Sequence, residues 1–429
     1  MAVWADWRAD LFDAKKVPFS RKESFLAISW LAEDQAFWLR NLRGGDEHTD
    51  LGRMLRLTVL DAQGDPVDAA WTLHPDCLSA SIGAAWLRFV FDGPDRIAVA
   101  GHGLGLRLQA GASKYNYAQG RDPVHICIAR QDMRCNVFVP QGTSQLTAPW
   151  NGLSADQITL DLLPDQESLS ASLDLFRITP GAGVALALPQ AQRAIATEFD
   201  AFLKQIPDVP ADFAQGRLLA AYILCSGYVP AEGALSLPSI YMSKNWMTNI
   251  WSWDHCFVAL AFAKLLPDRA FEQMAAIFAA QDASGRLPDY INDRYAYWAF
   301  TKPPVHGWTF AHLRATAPDF YTKPRLRQVL GWLAAQVEFW LAGPSWHGLP
   351  AYRHGNDAGW DNASCFAEGG PLVGPDLATF LILQLDEIAA LHAALGETEL
   401  AKAATVRADA LCTALCEQLW QNDRFGARL

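Results

Sequence analysis

The segment GNDAGWDNASCF, residues 355–366, concentrates side chains that could do acid–base chemistry. It places Asp361 directly after Trp360 and four residues after Asp357. An indole beside a carboxyl group shields it from water, and a second carboxylate nearby opposes its ionisation. The segment therefore predicts a carboxylic acid that holds a proton and donates it to a substrate. The alternative is an aspartate that only stabilises a turn, because Gly-Trp-Asp-Asn is also ordinary turn chemistry.

Two other segments combine aromatic and polar residues in the same way: SIYMSKNWMTNIWSWD at residues 239–254 and GRLPDYINDRYAYWAFTKPPVHGW at residues 285–308. The three segments lie about one helix pair apart, and loops on a rigid scaffold commonly carry function. The chain also has 17 tryptophans. An indole offers an apolar face and one hydrogen-bond donor, which suits a sugar ring, although we expect most of these tryptophans in the core. The pattern predicts a site at one end of a toroid of helices.

Composition argues against several classes of protein. The net charge of the 429 residues is −11 and no Lys/Arg-rich run occurs, which argues against nucleic acid as a partner. No apolar run reaches the roughly 18 residues of a membrane span, and the N-terminus has no basic start followed by an apolar stretch. We therefore expect no membrane partner and a cytoplasmic location. The sequence does not indicate the oligomeric state.

Neither a metal nor a cofactor is expected. The eight cysteines are scattered without a CxxC pair, and the ten histidines show neither HxH nor HExxH. Those spacings are typical of zinc and redox sites. The oxygen-rich residues at 354–362 lack the spacing of a calcium loop.

The hydrophobic pattern changes once along the chain. The first 185 or so residues read as many short strands separated by Gly, Pro and Asp turns, which favours an antiparallel sandwich. A period of 3.6 residues then predicts helices. The predicted helical segments are residues 191–206, 212–228, 251–266, 269–285, 324–343, 375–396 and 399–420. The expected domains are an N-terminal antiparallel β-sandwich, residues 1–185, and a helical domain, residues 186–429.

Three motifs in order resemble a known family over roughly residues 240–395. WSWDHCF, from Trp251, is similar to a W-x-W-D segment. GRLPDYIND with KPPVHGW is similar to G-x-L-P and P-P-x-x-x-W loops. AGWDNASCF with GPDLATFLILQ is similar to an S-G-W-D-N-S segment and a P-x-D-L helix start. Together they resemble the inverting (α/α)6-barrel glycoside hydrolases of family 63, with their mannosylglycerate-hydrolase-like and trehalase-like relatives. The resemblance implies a β-sandwich followed by an (α/α)6 toroid that is incomplete in this chain.

The resemblance also assigns roles. Asp361 matches the general acid of the family. The positions that match sugar-binding or pocket-lining residues are Trp253, Asp254, Trp308, Arg353, Asp357 and Trp360. Asp357 stands where the family often has glutamate, and Lys302 stands where glutamine is frequent. A lysine there is most simply a surface residue, so Lys302 is not assigned to the site. Asp254 could instead cap the helix that it opens, and His306 is best read as a structural histidine.

The implied function is inverting hydrolysis that removes a sugar unit, expected to be glucose, from an α-linked glycoside or oligosaccharide. The predicted helices are fewer than the twelve of the barrel. We therefore expect the sequence to be a fragment, with the catalytic base beyond residue 429. One alternative is a carbohydrate-binding protein without catalysis. The other is a sugar epimerase or isomerase on the same barrel, which would use paired histidines drawn from His255, His306 and His354.

Overall fold

The computed structural model describes residues 12–45, 50–181 and 187–428. Contacts divide the chain into two compact units. The first unit holds residues 1–230 and 243–248, and the second holds residues 231–242 and 249–429. The predicted domain boundary, between residues 185 and 186, lies outside the described residues and stays a prediction.

The first unit contains two antiparallel sheets. Their strands are β1 (Leu26–Leu31), β2 (Ala36–Asn41), β3 (Arg53–Leu60), β4 (Ala70–His74), β5 (Cys77–Ile82), β6 (Ala85–Phe91), β7 (Arg96–His102), β8 (Gly105–Ala110), β9 (Tyr117–Gln119), β10 (Val124–Ile128), β11 (Met133–Gln141), β12 (Thr143–Thr147), β13 (Ile158–Leu163) and β14 (Ser168–Phe176). One sheet has the order β1-β2-β3-β8-β13-β12, and the other has the order β4-β5-β6-β7-β14-β11-β10-β9.

Alternation along β13 shows why these residues form strands. Ile158, Leu160 and Leu162 are buried, whereas the residues between them are half-buried. Successive side chains of a strand point to opposite faces, so one face of β13 joins the core. On its other face Asp161 pairs with Arg107 of β8, with 2.6 Å between Oδ1 and Nε. The core cluster takes its side chains from both sheets. The predicted antiparallel β-sandwich is confirmed.

The remaining elements are helices and short strands. The helices are α1 (Leu188–Leu203), α2 (Ala214–Gly227), α3 (Asp254–Phe262), α4 (Pro267–Phe278), α5 (His306–Thr316), α6 (Lys323–Leu341), α7 (Gly355–Ala358), α8 (Pro375–Leu395) and α9 (Thr398–Leu419). The short strands are β15 (Tyr228–Val229), β16 (Ser239–Ile240), β17 (Ile250–Trp251), β18 (Tyr290–Ile291), β19 (Ala296–Tyr297), β20 (Ser345–Trp346), β21 (Leu349–Pro350), β22 (Trp420–Gln421) and β23 (Arg424–Phe425). Helices α1 and α2 belong to the first unit, and α1 packs on β6 and β7.

The second unit is built from helical hairpins. Helix α3 packs against α4 and α5, α5 packs against α8, and α8 packs against α6 and α9. Helices α3, α5 and α8 therefore form a row, along which α4, α6 and α9 pack. The segments that precede α3 and α5, together with the one between α6 and α8, are the three aromatic and polar segments singled out in the sequence.

Helix α8 is the one helix in the described part of the chain that could cross a membrane by length and composition alone. It packs against three helices and buries Gln384 and Glu387. Arg314 of α5 holds Glu387 through two hydrogen bonds, 2.9 Å from Nε to Oε1 and 2.8 Å from Nη2 to Oε2. A buried carboxylate with such a partner is typical of a helix inside a protein. In this structure α8 is a core helix of the second unit.

Each predicted helical segment overlaps a helix, but α5 was not among the predictions. Its buried residues are His306, Gly307, Thr309, Phe310 and Leu313, so polar and small residues share the buried face with apolar ones. The apolar period that predicts an amphipathic helix is therefore absent from this stretch.

Candidate active site

Three short strands bring two of the aromatic and polar segments together. Strand β17 pairs with β18, and β18 pairs with β19. The N–H of Ser252 donates to the carbonyl of Asp289 over 3.0 Å, and the N–H of Asp289 donates to the carbonyl of Tyr297 over 2.9 Å. The chain then enters α3 through Trp253 and Asp254. Trp253 and Asp254, both predicted to bind the sugar, therefore directly follow Ser252, which is hydrogen-bonded to Asp289.

The third segment is tied to the other two by polar contacts. The N–H of Thr301 donates to Oδ1 of Asp357 over 3.1 Å. The ammonium group of Lys302 donates to the carbonyl of Asn356 over 2.6 Å and to its Oδ1 over 2.7 Å. The same ammonium group lies 3.2 Å from Oδ1 of Asp289, whose Oδ2 accepts from Nδ2 of Asn356 over 3.1 Å. One network therefore joins the three segments.

A glycine sets the position of the residues that follow it. Gly359 has a φ of +66°, a conformation that L-residues with a side chain rarely adopt. A Cβ atom at residue 359 would lie 2.4 Å from Cζ2 of Trp253. The indole of Trp253 therefore packs directly on the turn that leads into Trp360 and Asp361.

The carboxyl groups of the site influence one another. Burial raises the pKa of Asp289 to about 6; Lys302 lowers it, and the charge of Asp361 raises it further. Burial also raises the pKa of Asp254, and here too Lys302 lowers it and Asp361 raises it. Asp361 itself is exposed to solvent. The charges of Lys302 and Asp361 therefore act in opposite directions on the pKa of both buried carboxyl groups, Asp254 and Asp289.

A cavity of about 160 Å³ lies beside the network that joins the three segments. Its lining residues are Arg286, Ala299, Phe300, Thr301, Phe339, Trp340, Gly343, Pro344, Ala351, Arg353, His354 and Asp357. Trp340 is 6% exposed, and its Nε1 and the Nε of Arg286 are buried without a hydrogen-bond partner among the described residues.

Comparison with known proteins assigns the helical part of the chain. Residues 247–428 match the family model of the mannosylglycerate hydrolase MGH1-like glycoside hydrolase domain. Residues 247–428 are therefore similar to a glycoside hydrolase domain and are called the hydrolase domain below. No curated protein sequence matches the chain at a significant level.

Two solved structures share the fold. A bacterial glucoamylase complexed with acarbose matches with a TM-score of 0.63 and 12% identity over 94% of this chain. The family GH92 inverting mannosidase of Bacteroides thetaiotaomicron matches with a TM-score of 0.55 and 11% identity over 96% of this chain. The match spans 67% of the glucoamylase chain and 64% of the mannosidase chain. These similarities confirm the predicted fold class, a β-sandwich followed by an (α/α)6 helical region.

The hydrolase domain brings most of the predicted site residues together. Asp357 is buried in the network, and Trp253 lies against the turn before Trp360 and Asp361. Arg353 is exposed and lines the cavity. Their roles in catalysis and sugar binding stay predictions.

Trp308 lies in the first turn of α5, and its predicted role stays a prediction. It packs against Phe257 of α3, with 6.2 Å between ring centroids. Asp254 is the first residue of α3, whose N-terminus has no side-chain cap. The described residues contain no group of three or more His, Cys, Asp or Glu side chains that could hold a metal ion.

The sequence analysis missed part of the network. Lys302 was expected at the surface, and this is wrong, because it is 4% exposed and bound to Asn356 and Asp289. Asp289 was not assigned either, although it belongs to the GRLPD motif. The signal for Lys302 was its place before Pro303-Pro304, where the family frequently has glutamine.

A buried hydrogen-bond network connects helices α5, α6 and α8 of the hydrolase domain to the loop that carries Trp253. His306 is fully buried; its Nε2 donates to the carbonyl of Ser252 over 3.0 Å, and its Nδ1 accepts from Gln336 over 3.2 Å. Gln336 in turn accepts from Gln384 over 3.1 Å. Because one ring nitrogen donates and the other accepts, the imidazole is neutral. Its role is structural, since it binds the backbone of the loop that carries Trp253.

This histidine makes the domain sensitive to acid. Burial lowers the pKa of His306 to about 4, below its ordinary value of 6.5. The unfolded chain therefore takes up the proton first, and stability falls as the pH falls from about 6.5 to about 4. We expect His306→Gln to reduce the slope of unfolding free energy against pH by about 1.4 kcal/mol per pH unit in this window, one proton's worth.

Urea unfolding at pH values between 4.5 and 6 measures this slope. The matched control is His347→Gln, since His347 is exposed. An equal slope in wild type and His306→Gln would contradict the expectation, whatever the absolute loss of stability.

Proposed function

We propose that the protein is an inverting glycoside hydrolase that removes one sugar from an α-linked glycoside, with Asp361 as the general acid. Glucose is the first candidate for that sugar. The observation that supports the proposal is the packing of Trp253 on Gly359, two residues before Asp361, together with the effect of the Asp361 charge on the pKa of Asp254. An indole face and a nearby carboxylate, Asp254, suit a sugar ring and its hydroxyls.

Inverting hydrolysis needs two carboxyl groups on opposite sides of the sugar. One protonates the leaving oxygen, and the other removes a proton from a water molecule in a gap of ~6.5–9.5 Å between the two groups. Asp361 is exposed, so a leaving group can reach it from solvent. The role of the second carboxylate, the base, is assigned to no residue of this chain. We also propose a cytoplasmic location.

A second candidate differs in the aglycone. The name of the matched family refers to mannosylglycerate, whose aglycone carries a carboxylate. The cavity favours such a group, because two arginines, Arg286 and Arg353, line it. A planar guanidinium group matches a carboxylate well. The candidate is therefore a glycoside with an acidic aglycone.

Sugar isomerisation finds less support in this structure. His255 and His306 are both fully buried. Burial lowers the pKa of His255 to about 3 and that of His306 to about 4. Neither imidazole is placed to exchange protons with a substrate. The third histidine considered, His354, is exposed, and its Nδ1 accepts from the N–H of Asn356.

The test is an assay of the intact protein on a substrate panel. The panel pairs α-glucosyl and α-mannosyl donors with glycerate and with neutral sugars as aglycones. Proton NMR identifies the first anomer released. We expect the β-anomer, as inversion of an α-linkage requires, whereas an α-anomer released first would contradict inversion. Calorimetric binding of sugar without any release would favour the carbohydrate-binding alternative.

A further inference from the structure

Lys302 is a buried charge at the centre of the site. The residue is 4% exposed. Its ammonium group donates to the carbonyl and to Oδ1 of Asn356, and it forms an ion pair with Oδ1 of Asp289 over 3.2 Å. A buried ammonium group is costly unless such partners compensate for lost water. Lys302 therefore has a built environment, unlike a lysine that is buried by chance.

Each partner of Lys302 belongs to a different part of the site. Asp289 lies beside Ser252, through the 3.0 Å backbone hydrogen bond that precedes Trp253 and Asp254. Asn356 belongs to α7, the single helical turn that leads into Gly359 and Asp361. The side chains of Asp289 and Asn356 are also hydrogen-bonded to each other over 3.1 Å. Contacts among Lys302, Asp289 and Asn356 therefore link the loop that carries Trp253 and Asp254 to the segment that carries Asp361.

We propose that Lys302 is a positioning residue, which holds residues 355–361 against Asp289 and thereby fixes the carboxyl group of Asp361 relative to the substrate. The inference rests on the proposed role of Asp361. Lys302 binds the segment through a backbone carbonyl as well as a side chain, so it constrains the path of the chain itself. A misplacement of about 1 Å in such a group can cost about 100-fold in rate.

The charge of Lys302 also affects the neighbouring carboxyl groups. The charge of Asp361 raises the pKa of both Asp254 and Asp289, and the charge of Lys302 lowers the pKa of both. A glutamine at this position, the residue frequent in the family pattern, could donate to Asn356 but would supply no charge. The lysine therefore adds an ion pair with Asp289 that an amide would not provide.

The first test is Lys302→Met, which keeps the length of the side chain and removes its charge and donors. Hydrogen exchange with mass spectrometry follows the backbone amides of residues 355–361. Kinetics in the intact protein compare an unactivated glycoside, whose leaving group needs a proton, with a glycosyl fluoride, whose leaving group does not. The control is Lys264→Met, because Lys264 is exposed at the end of α3.

We expect faster exchange at residues 355–361, a kcat on the unactivated glycoside about 100-fold lower, and a much smaller loss on the fluoride. KM should change little. Unchanged exchange, or equal losses of kcat on both substrates, would overturn the positioning role. If Lys302→Met does not fold, Lys302→Gln is used, with the same pattern expected at smaller size.

The exchange measurement separates this inference from the proposed function. Faster exchange in Lys302→Met would show that Lys302 restrains residues 355–361, whatever the role of Asp361. If replacement of Asp361 leaves hydrolysis intact, Asp361 is rejected as the acid, and Lys302 then has no acid to position. Unchanged exchange overturns the inference while the proposed function stands.

Discussion

Replacement of Asp361 by Asn will lower kcat on unactivated α-glycosides by about 10²- to 10⁴-fold, the range that a positioned general acid contributes. Asparagine has nearly the shape of aspartate but no proton to give to the leaving oxygen. Fluoride departs without a proton, so hydrolysis of the matching glycosyl fluoride should survive largely intact. Steady-state kinetics on the two substrates measure the difference. Binding of the sugar, followed by calorimetry, should persist, because Trp253 and Asp254 are unchanged.

The control for this experiment is Asp319→Asn, since Asp319 is exposed in the connection between α5 and α6. It should leave both activities at the level of wild type. Full retention of glycoside hydrolysis by Asp361→Asn would remove Asp361 from the acid role. Equal loss on both substrates would indicate that the residue serves the fold or the binding of sugar instead.

Gly307→Ala will destabilise the hydrolase domain more than other glycine replacements in its helices. A Cβ atom on residue 307 would lie 2.4 Å from Cα and 2.6 Å from Cβ of Gln384, where α5 crosses α8. One of the two helix backbones must move. Overpacking of a core costs roughly 1–3 kcal/mol, occasionally more, and here it exceeds the ~1 kcal/mol that alanine gains over glycine inside a helix.

Gly331→Ala is the matched control. Gly331 is exposed in α6, and a Cβ atom there would meet nothing within 4 Å. It should raise the free energy of unfolding by up to about 1 kcal/mol, because alanine is the better helix former. Denaturant unfolding of both variants gives the comparison. A Gly307→Ala protein as stable as wild type would show that α5 and α8 can separate at little cost.

The sequence was informative where one local pattern decides the structure. Alternation in segments such as β13 predicted strands, and the apolar period of α8 predicted a helix that starts at a proline and ends before a glycine. Helix α5 escaped because its buried face carries His306 and Gly307, whose partners come from other helices. No local pattern can report a buried polar residue that is satisfied by a distant one.

The site shows the same division. The resemblance singled out Trp253 and Asp361 but not their contact, which depends on the positive φ of Gly359. Lys302 was misjudged for a physical reason. Lysine is normally exposed, and the partner that buries this one, Asn356, is 54 residues away in sequence. Burial of charge is a property of the assembled loops, so it becomes visible only in three dimensions.

The junction between α5 and α8 also bears on how the protein is made. Trp253 and Asp254 are synthesised well before Gln384, whose Oε1 accepts a hydrogen bond from the N–H of Gly307. At roughly 5–20 residues per second, the 130 residues from Asp254 to Gln384 take about 7–26 s to synthesise. Until α8 is made, the face of α5 that packs on it is uncovered and open to chaperones or aggregation. Weakening this junction should therefore reduce the yield of soluble protein in cells before it reduces the specific activity of molecules that complete folding.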